Sequence, residues 1–229
     1  MKLLISSLLA LFLMACGNDS PTSANHLKVR VRSGSMIDSR DGQTYKTVTI
    51  GSQTWLAQNM NYETKNSYCY DDNPTNCSKY GRLYTWAAAM DSAGLWNSHG
   101  KGCGNEKMCL PIYPVRGVCP EGWHLPSNDE WNTLFKAVGD TSIAGANLKS
   151  RMGWKDDGYG TDPFSFSALP AGMLYVKGFV EKALFAYFWS SMEIDHGRAY
   201  NVVLYFDFDN AYLSVNFKNY GFSVRCLKD

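Results

Sequence analysis

The sequence predicts an α+β fold: an antiparallel sheet, two or three short helices, and long loops pinned by disulfides. Three observations predict it. Strand-like alternation of apolar and polar residues occurs at 45–50 and again beyond residue 200. A helix start signal sits at Ser127-Asn128-Asp129-Glu130. Six cysteines downstream of residue 60 lie in or beside polar, Gly- and Pro-containing stretches.

Taken in order, Asp41-Gly42 is a turn signal, and Tyr45-Lys46-Thr47-Val48-Thr49-Ile50 is alternating and β-branched, hence a strand. Gly51-Ser52 turns the chain into residues 53–60, a second short strand or extended segment with Trp55, Leu56 and Met60. Residues 68–80 form a polar loop between Tyr68 and Tyr80. Leu83, Trp86, Ala87 and Met90 fall on one helical face, so residues 81–90 predict a short amphipathic helix. Residues 92–120 read as an irregular, disulfide-pinned loop.

Ser127 and Glu130 have capping-box spacing, and Asp129 and Glu130 place negative charge where the helix dipole favours it. Trp131, Leu134, Phe135 and Val138 supply the apolar face, and Gly139 can end the helix. A third helix is expected over 142–152, with Gly145 as a local weakness. Residues 154–178 read as loops with brief strands. Phe188-Trp189-Ser190-Ser191 starts the last β section. Tyr200, Val202, Leu204, Phe206 and Phe208 are expected to share one face. Asp209-Asn210 turns, Ala211 to Phe217 alternates, and Phe222, Val224 and Cys226 alternate again. This predicts a three-stranded antiparallel meander with Cys226 pointing inward.

The first residues read as an address. Lys2 is basic, residues 3–14 are almost wholly apolar, and the run stops at Leu13-Met14-Ala15-Cys16. A basic start, a short apolar stretch and a small residue before the cut describe a secretory signal too short for a stable membrane span. Cys after that small residue resembles a bacterial lipobox, which implies cleavage before Cys16 and lipid on its thiol. Gly17 stands where an Asp would retain some such proteins at the inner membrane, so the outer membrane is the expected location. The organisation read from the chain is a signal at 1–15, a lipidated Cys and flexible tether at 16–37, and a domain at 38–229.

The formal charge is +1, with 22 basic and 21 acidic residues and no basic block, which argues against a nucleic-acid partner. With Cys16 assigned to lipid, Cys69, Cys77, Cys103, Cys109, Cys119 and Cys226 remain. Local spacing suggests Cys69–Cys77 and Cys103–Cys109, leaving Cys119–Cys226 as the long staple, although sequence alone does not choose among the possible pairings. No C-x-x-C pair occurs and the four histidines are scattered, so structural disulfides are favoured over zinc or redox use.

Five segments together resemble one family. They are residues 47–60 (Thr-Val-Thr-Ile-Gly-Ser-Gln-Thr-Trp-Leu-Ala-Gln-Asn-Met), residues 80–86 (Tyr-Gly-Arg-Leu-Tyr-Thr-Trp), residues 119–126 (Cys-Pro-Glu-Gly-Trp-His-Leu-Pro), Phe188-Trp189-Ser190-Ser191, and residues 221–226 (Gly-Phe-Ser-Val-Arg-Cys). They look like the Fibrobacter succinogenes major paralogous domain, found on secreted and lipid-anchored bacterial proteins and without a defined activity. Residues 123–131 are also similar to a helix-start motif of the formylglycine-generating group, and residues 221–226 to its last strand. That likeness implies a C-type-lectin-like fold: a small twisted antiparallel sheet, two or three short helices and long loops.

The same likeness does not carry over the chemistry. The formylglycine-generating reaction uses two copper-binding cysteines on the last strand. Cys226 matches one, and Gly221 stands where the other would be. No G-x-S-x-G, H-E-x-x-H or phosphate loop occurs, so no catalytic residue and no cofactor is assigned. Asp71-Asp72, Asp156-Asp157 and Asp207/Asp209 read as solvated turns rather than calcium ligands. The expectation is a lipid-anchored, non-catalytic binding or adhesion module. Polysaccharide is the first candidate partner and a surface protein the second. Loop aromatics Tyr68, Tyr70, Trp96, Trp154, Tyr159 and Tyr175 are the candidate ligand contacts.

Overall fold

The computed structural model describes residues 29–229. The signal-like segment, the proposed lipidation site Cys16 and residues 17–28 of the expected tether lie outside the described residues. The first half of the chain forms β1 (Val31–Ile37), β2 (Thr44–Ile50), β3 (Gln53–Leu56), β4 (Ser67–Tyr68), α1 (Pro74–Tyr80), β5 (Leu83–Thr85) and α2 (Trp86–Ala89). The middle carries β6 (Trp123–His124), α3 (Asn128–Ala137) and α4 (Thr141–Leu148). The remainder forms β7 (Met173–Tyr175), β8 (Gly178–Val180), β9 (Phe185–Glu193), β10 (Arg198–Tyr205), β11 (Ala211–Phe217), β12 (Gly221–Phe222) and β13 (Leu227–Lys228).

These strands make three antiparallel sheets. Their orders are β1-β2-β3-β13-β6, β4-β5-β12-β7-β8 and β11-β10-β9. The last strand enters the first sheet between β3 and β6, where Leu227 lies opposite both Trp55 and His124. The domain starts earlier than residue 38, because β1 pairs with β2 over its whole length, from Val31 opposite Ile50 to Ile37 opposite Thr44. No alternation marks β1: in its sequence VRSGSMI only Met36 is partly buried, against the core, and main-chain pairing with β2 defines the rest.

Other expectations are corrected by tertiary contacts. Residues 83–85 are strand, and the helix is confined to Trp86–Ala89, because Leu83 and Tyr84 pair with β4 and Tyr84 and Thr85 with β12. The α4 helix stops at Leu148, short of Met152, as Lys149 turns extended and its main chain bridges Ala168. Gly145 is required there: a Cβ would sit 2.3 Å from the Asn210 carbonyl oxygen, so the helix lies directly on the 209–210 turn. Phe206 stays partly buried against the core that holds Val202 and Leu204, but Phe208 does not continue the inward face. The chain leaves β10 after Tyr205 and turns three carbonyls, those of Tyr205, Phe206 and Phe208, onto the buried Lys149 Nζ at 3.0–3.2 Å. Phe208 is left exposed.

The expected meander is also rearranged. β10 and β11 form the hairpin, but their third strand is β9 rather than residues 222–226. The chain turns inward at Lys218, whose fully buried ammonium meets Glu193 and the carbonyls of Lys107 and His196. Phe222 is thereby carried to β5, and Gly221 to β5 and β7.

The capping box at Ser127 forms as expected. The Ser127 amide donates to Glu130 Oε2 at 2.8 Å and the Glu130 amide to Ser127 Oγ at 3.4 Å. Trp131, Leu134 and Phe135 face a core of Trp55, Phe166 and Phe188. A second core joins Trp86, Trp189, Tyr84 and Phe222. Burying such rings is the dominant stabilising term, at roughly 1.5–3 kcal/mol for a large apolar side chain. Three disulfides close over these cores: Cys69–Cys77, Cys103–Cys109 and Cys119–Cys226. The pairings follow the cysteine spacing, and Cys226 is fully buried.

Candidate ligand-binding groove

The segment after β3 runs out of the first sheet and lines a two-lobed groove. One lobe, of about 450 Å³, lies among β2, residues 57–61, the end of α1 and the 165–169 loop. The other, of about 720 Å³, lies among Arg40, residues 61–63, β4 and the start of α1. Asn61, Cys77 and Ser78 belong to both lobes, which makes them one continuous feature.

Local sequence builds its walls. Asn73 caps α1 by accepting from the Thr75 amide at 3.0 Å, Pro74 occupies the first turn where its missing N–H costs nothing, and the Cys69–Cys77 bridge ties α1 to β4. Gly81 ends α1 at φ 74°, and a Cβ there would lie 2.7 Å from both Asn59 Cβ and the Met60 carbonyl oxygen. Only glycine lets the two family-like segments, 47–60 and 80–86, come this close. Below the groove, the fully buried Arg225 donates to Asn59 Oδ1 at 2.6 Å and to the Phe166 and Ser167 carbonyls at 2.6 and 2.9 Å. Burial lowers its pKa to about 9, opposed by Asp162, so it stays charged at neutral pH. Arg225 thus fixes two walls at once.

Two polar atoms of groove residues are buried beneath its surface without a partner: Asn61 Oδ1 and Arg40 Nη1. Buried polar atoms in native proteins are nearly always satisfied, so each exception asks for an explanation. Both residues are held firmly. The Asn61 amide donates to the Tyr45 hydroxyl at 3.0 Å. Arg40 donates to Asp38 and to the Val118 carbonyl, and its guanidinium lies 4.0 Å from the Tyr62 ring centre and 4.8 Å from that of Trp96. Tyr62 and Trp96 meet edge to face at 5.4 Å.

The expected ligand contacts divide. Tyr68 lines the groove, and Trp96 buttresses Tyr62 and Arg40 beside it. Tyr70 and Trp154 are corrected to core residues. Tyr70 packs on Phe179 at 5.2 Å, and the Trp154 indole donates to Ser150 Oγ at 3.1 Å, with both rings under a tenth exposed. Tyr159 is exposed but lines neither lobe, and Tyr175 lies edge-on to Tyr220. Sequence reasoning passed over Arg40, Asn61, Tyr62 and Arg82. The one signal was position: Asn61-Tyr62 directly follows the family-like segment, and Arg82 lies within another. Among the described residues no three His, Cys, Asp or Glu gather in ligating geometry.

His124 forms a separate constellation. Its Nδ1 meets Asp229 Oδ1 at 2.7 Å and its Nε2 meets Glu130 Oε1 at 3.0 Å. Burial opposes its charge, but the hydrogen bonds to Glu130 and Asp229 outweigh it and raise its pKa. Both ring nitrogens face carboxylates, so the ring contacts no hydroxyl that it could activate. Ser127 Oγ donates to Glu130 instead. The arrangement ties the start of α3 to β6 and residue 229.

The geometry defines a disulfide-stapled α+β domain with a polar, aromatic-edged groove. The profile of the Fibrobacter succinogenes major domain matches residues 48–228, and the chain belongs to that family. No curated protein and no solved structure matches it. Among the described residues no helix is long and apolar enough to cross a membrane. The three disulfides accord with folding in an oxidising, extracytoplasmic compartment.

Proposed function

We propose that this protein is a non-catalytic, extracytoplasmic binding module, anchored through lipid on Cys16, whose groove takes glycan. The carrying observation is a groove edged by Tyr62 and Tyr68 and lined by the polar side chains of Gln43, Gln58, Asn61 and Ser78. Sugar rings present hydroxyls to such polar groups and apolar faces to such rings. The scarcity of helix, the antiparallel sheets and the insertion of the last strand between β3 and β6 support a C-type-lectin-like architecture. The absence of an activated nucleophile at His124 supports binding over catalysis. The test is binding of the oxidised full-length chain to a polysaccharide panel. Saturable binding that falls on Asn61→Ala and Tyr62→Ala is expected. An intact fold that binds no polymer would sink this reading.

A second reading rests on a different surface. Met108, Ile112 and Tyr113 are each more than half exposed and Leu110 is 99 % exposed, on the loop after Cys103–Cys109. Clustered exposed apolar side chains favour protein contact. If a surface protein is the partner, Leu110→Ser weakens that contact and leaves the groove unaffected.

A further inference from the structure

Building on the glycan reading, we propose that the groove selects acidic glycans, with Lys46 and Lys79 receiving the carboxylate of a uronic acid residue. The smaller lobe has two charged lining residues, Lys46 and Lys79, and no carboxylate. The whole chain is nearly neutral, with 22 basic and 21 acidic residues, so an acid-free cleft is not a consequence of composition.

The two lysines also differ from the arginines of the adjoining lobe. Arg40 is paired with Asp38 and Arg82 with Glu63. Lys46 and Lys79 take part in no ion pair among the described residues. Both are exposed, on β2 and in the last turn of α1, facing solvent and whatever enters the cleft. Low-dielectric walls on either side strengthen their field relative to open surface. Around them, Gln43, Gln58 and Asn61 line the lobe with side-chain amides. A uronic acid presents this combination: one carboxylate beside several hydroxyls. The Arg40 and Arg82 side chains are already engaged by carboxylates, which leaves Lys46 and Lys79 as the groove's unpaired cations among the described residues.

The test uses the oxidised full-length chain and four polymers: polygalacturonate, its fully methyl-esterified form, dextran sulfate and neutral xylan. The ester keeps the sugar backbone and removes the charge. Polygalacturonate is expected to bind about tenfold or more tightly than its ester, and to weaken as salt is raised. Lys46→Gln with Lys79→Gln is expected to erase that difference by weakening only acid binding, and the double arginine variant to restore it. Tyr62→Ala is expected to weaken acid and ester alike.

Equal binding of acid and ester would overturn the selectivity while leaving the glycan groove standing. Equal or tighter binding of dextran sulfate would overturn the carboxylate assignment, making the lobe a general anion site. Binding of none of the four would overturn the selectivity, and with a wider panel also failing, the groove itself.

Discussion

Trp86 and Trp189 grip each other's backbone. The Trp86 indole N–H donates to the carbonyl of Ser190 at 2.9 Å, and the Trp189 indole N–H donates to the carbonyl of Tyr84 at 2.7 Å. Both rings are fully buried, and Trp189 packs on Phe222 at 4.3 Å. Each indole thus bonds the main chain beside the other, and the pair fastens β5–α2 to β9. Trp189→Phe keeps most of the apolar volume but orphans the Tyr84 carbonyl, at an expected cost of about 1–3 kcal/mol. Trp189→Ala adds a cavity and is expected to cost about 3–5 kcal/mol. Urea midpoints of the two variants measure the difference, and equal losses would show that the hydrogen bond is immaterial.

The disulfides should differ in worth. Cys119–Cys226 spans a sequence separation of 107 and Cys69–Cys77 one of 8. In the chain-entropy account, losing the long staple costs about 2 kcal/mol more than losing the short one. Paired Cys→Ala variants, compared by chemical denaturation, are expected to follow that order. The reverse order would mean that native packing around Cys226, not closure of the chain, governs its value.

Arg225 supports the groove from inside. Its Nε and both terminal nitrogens donate to Asn59 Oδ1 and to the Leu56, Phe166 and Ser167 carbonyls. It also lies over the Phe166 ring at 4.6 Å. Arg225→Met leaves these acceptors buried and unpaired, and Arg225→Lys keeps the charge without the planar fork. Both are expected to destabilise by several kcal/mol, about 3–5 for the methionine. Residual folded protein is expected to lose the groove's 165–167 wall first, read as faster amide exchange there than in α3.

Stability should depend on pH through His124. Its folded pKa is raised, so its contribution is complete below the unfolded value of about 6.5 and is lost as pH rises through the higher folded value. For Glu130, burial alone would raise the pKa, but the bonds to His124 and Ser127 prevail and lower it. Its contribution is therefore present above about pH 4.3 and lost as pH falls through the lower folded value. Together the pair stabilises most between about pH 4.5 and 6.5. His124→Gln is expected to cost about 1 kcal/mol in that window and less at alkaline pH. A penalty that grows with pH would contradict the assignment.

Elements whose cause is local were readable from the sequence. The capping box at Ser127 and the alternation in 45–50 and 211–217 specify their own conformation, and the short cysteine spacings favour their own closures. The misreadings share one physical origin. Periodicity reports which face is buried, not which strand lies alongside, so 222–226 was placed beside 211–217 although Gly221-Phe222 pairs with β5 and β7. β1 carries no apolar pattern because only its Met36 packs against the core. Tyr70 and Trp154 look like loop aromatics in sequence, yet the loops fold their rings inward.

The family, the α+β class and the capping box at Ser127 follow from the amino-acid sequence alone, because these depend on short-range spacing and on chemistry carried by single segments. Only the tertiary structure decided where a ligand could sit. Arg40, Lys46, Asn61, Tyr62 and Lys79 come from separate turns, strands and a helix, and nothing in their spacing relates them. Their meeting depends on Gly81 allowing close approach and on Arg225 tying Asn59 to the 166–167 backbone. A groove is a property of long-range packing, and a sequence encodes it only through the whole fold.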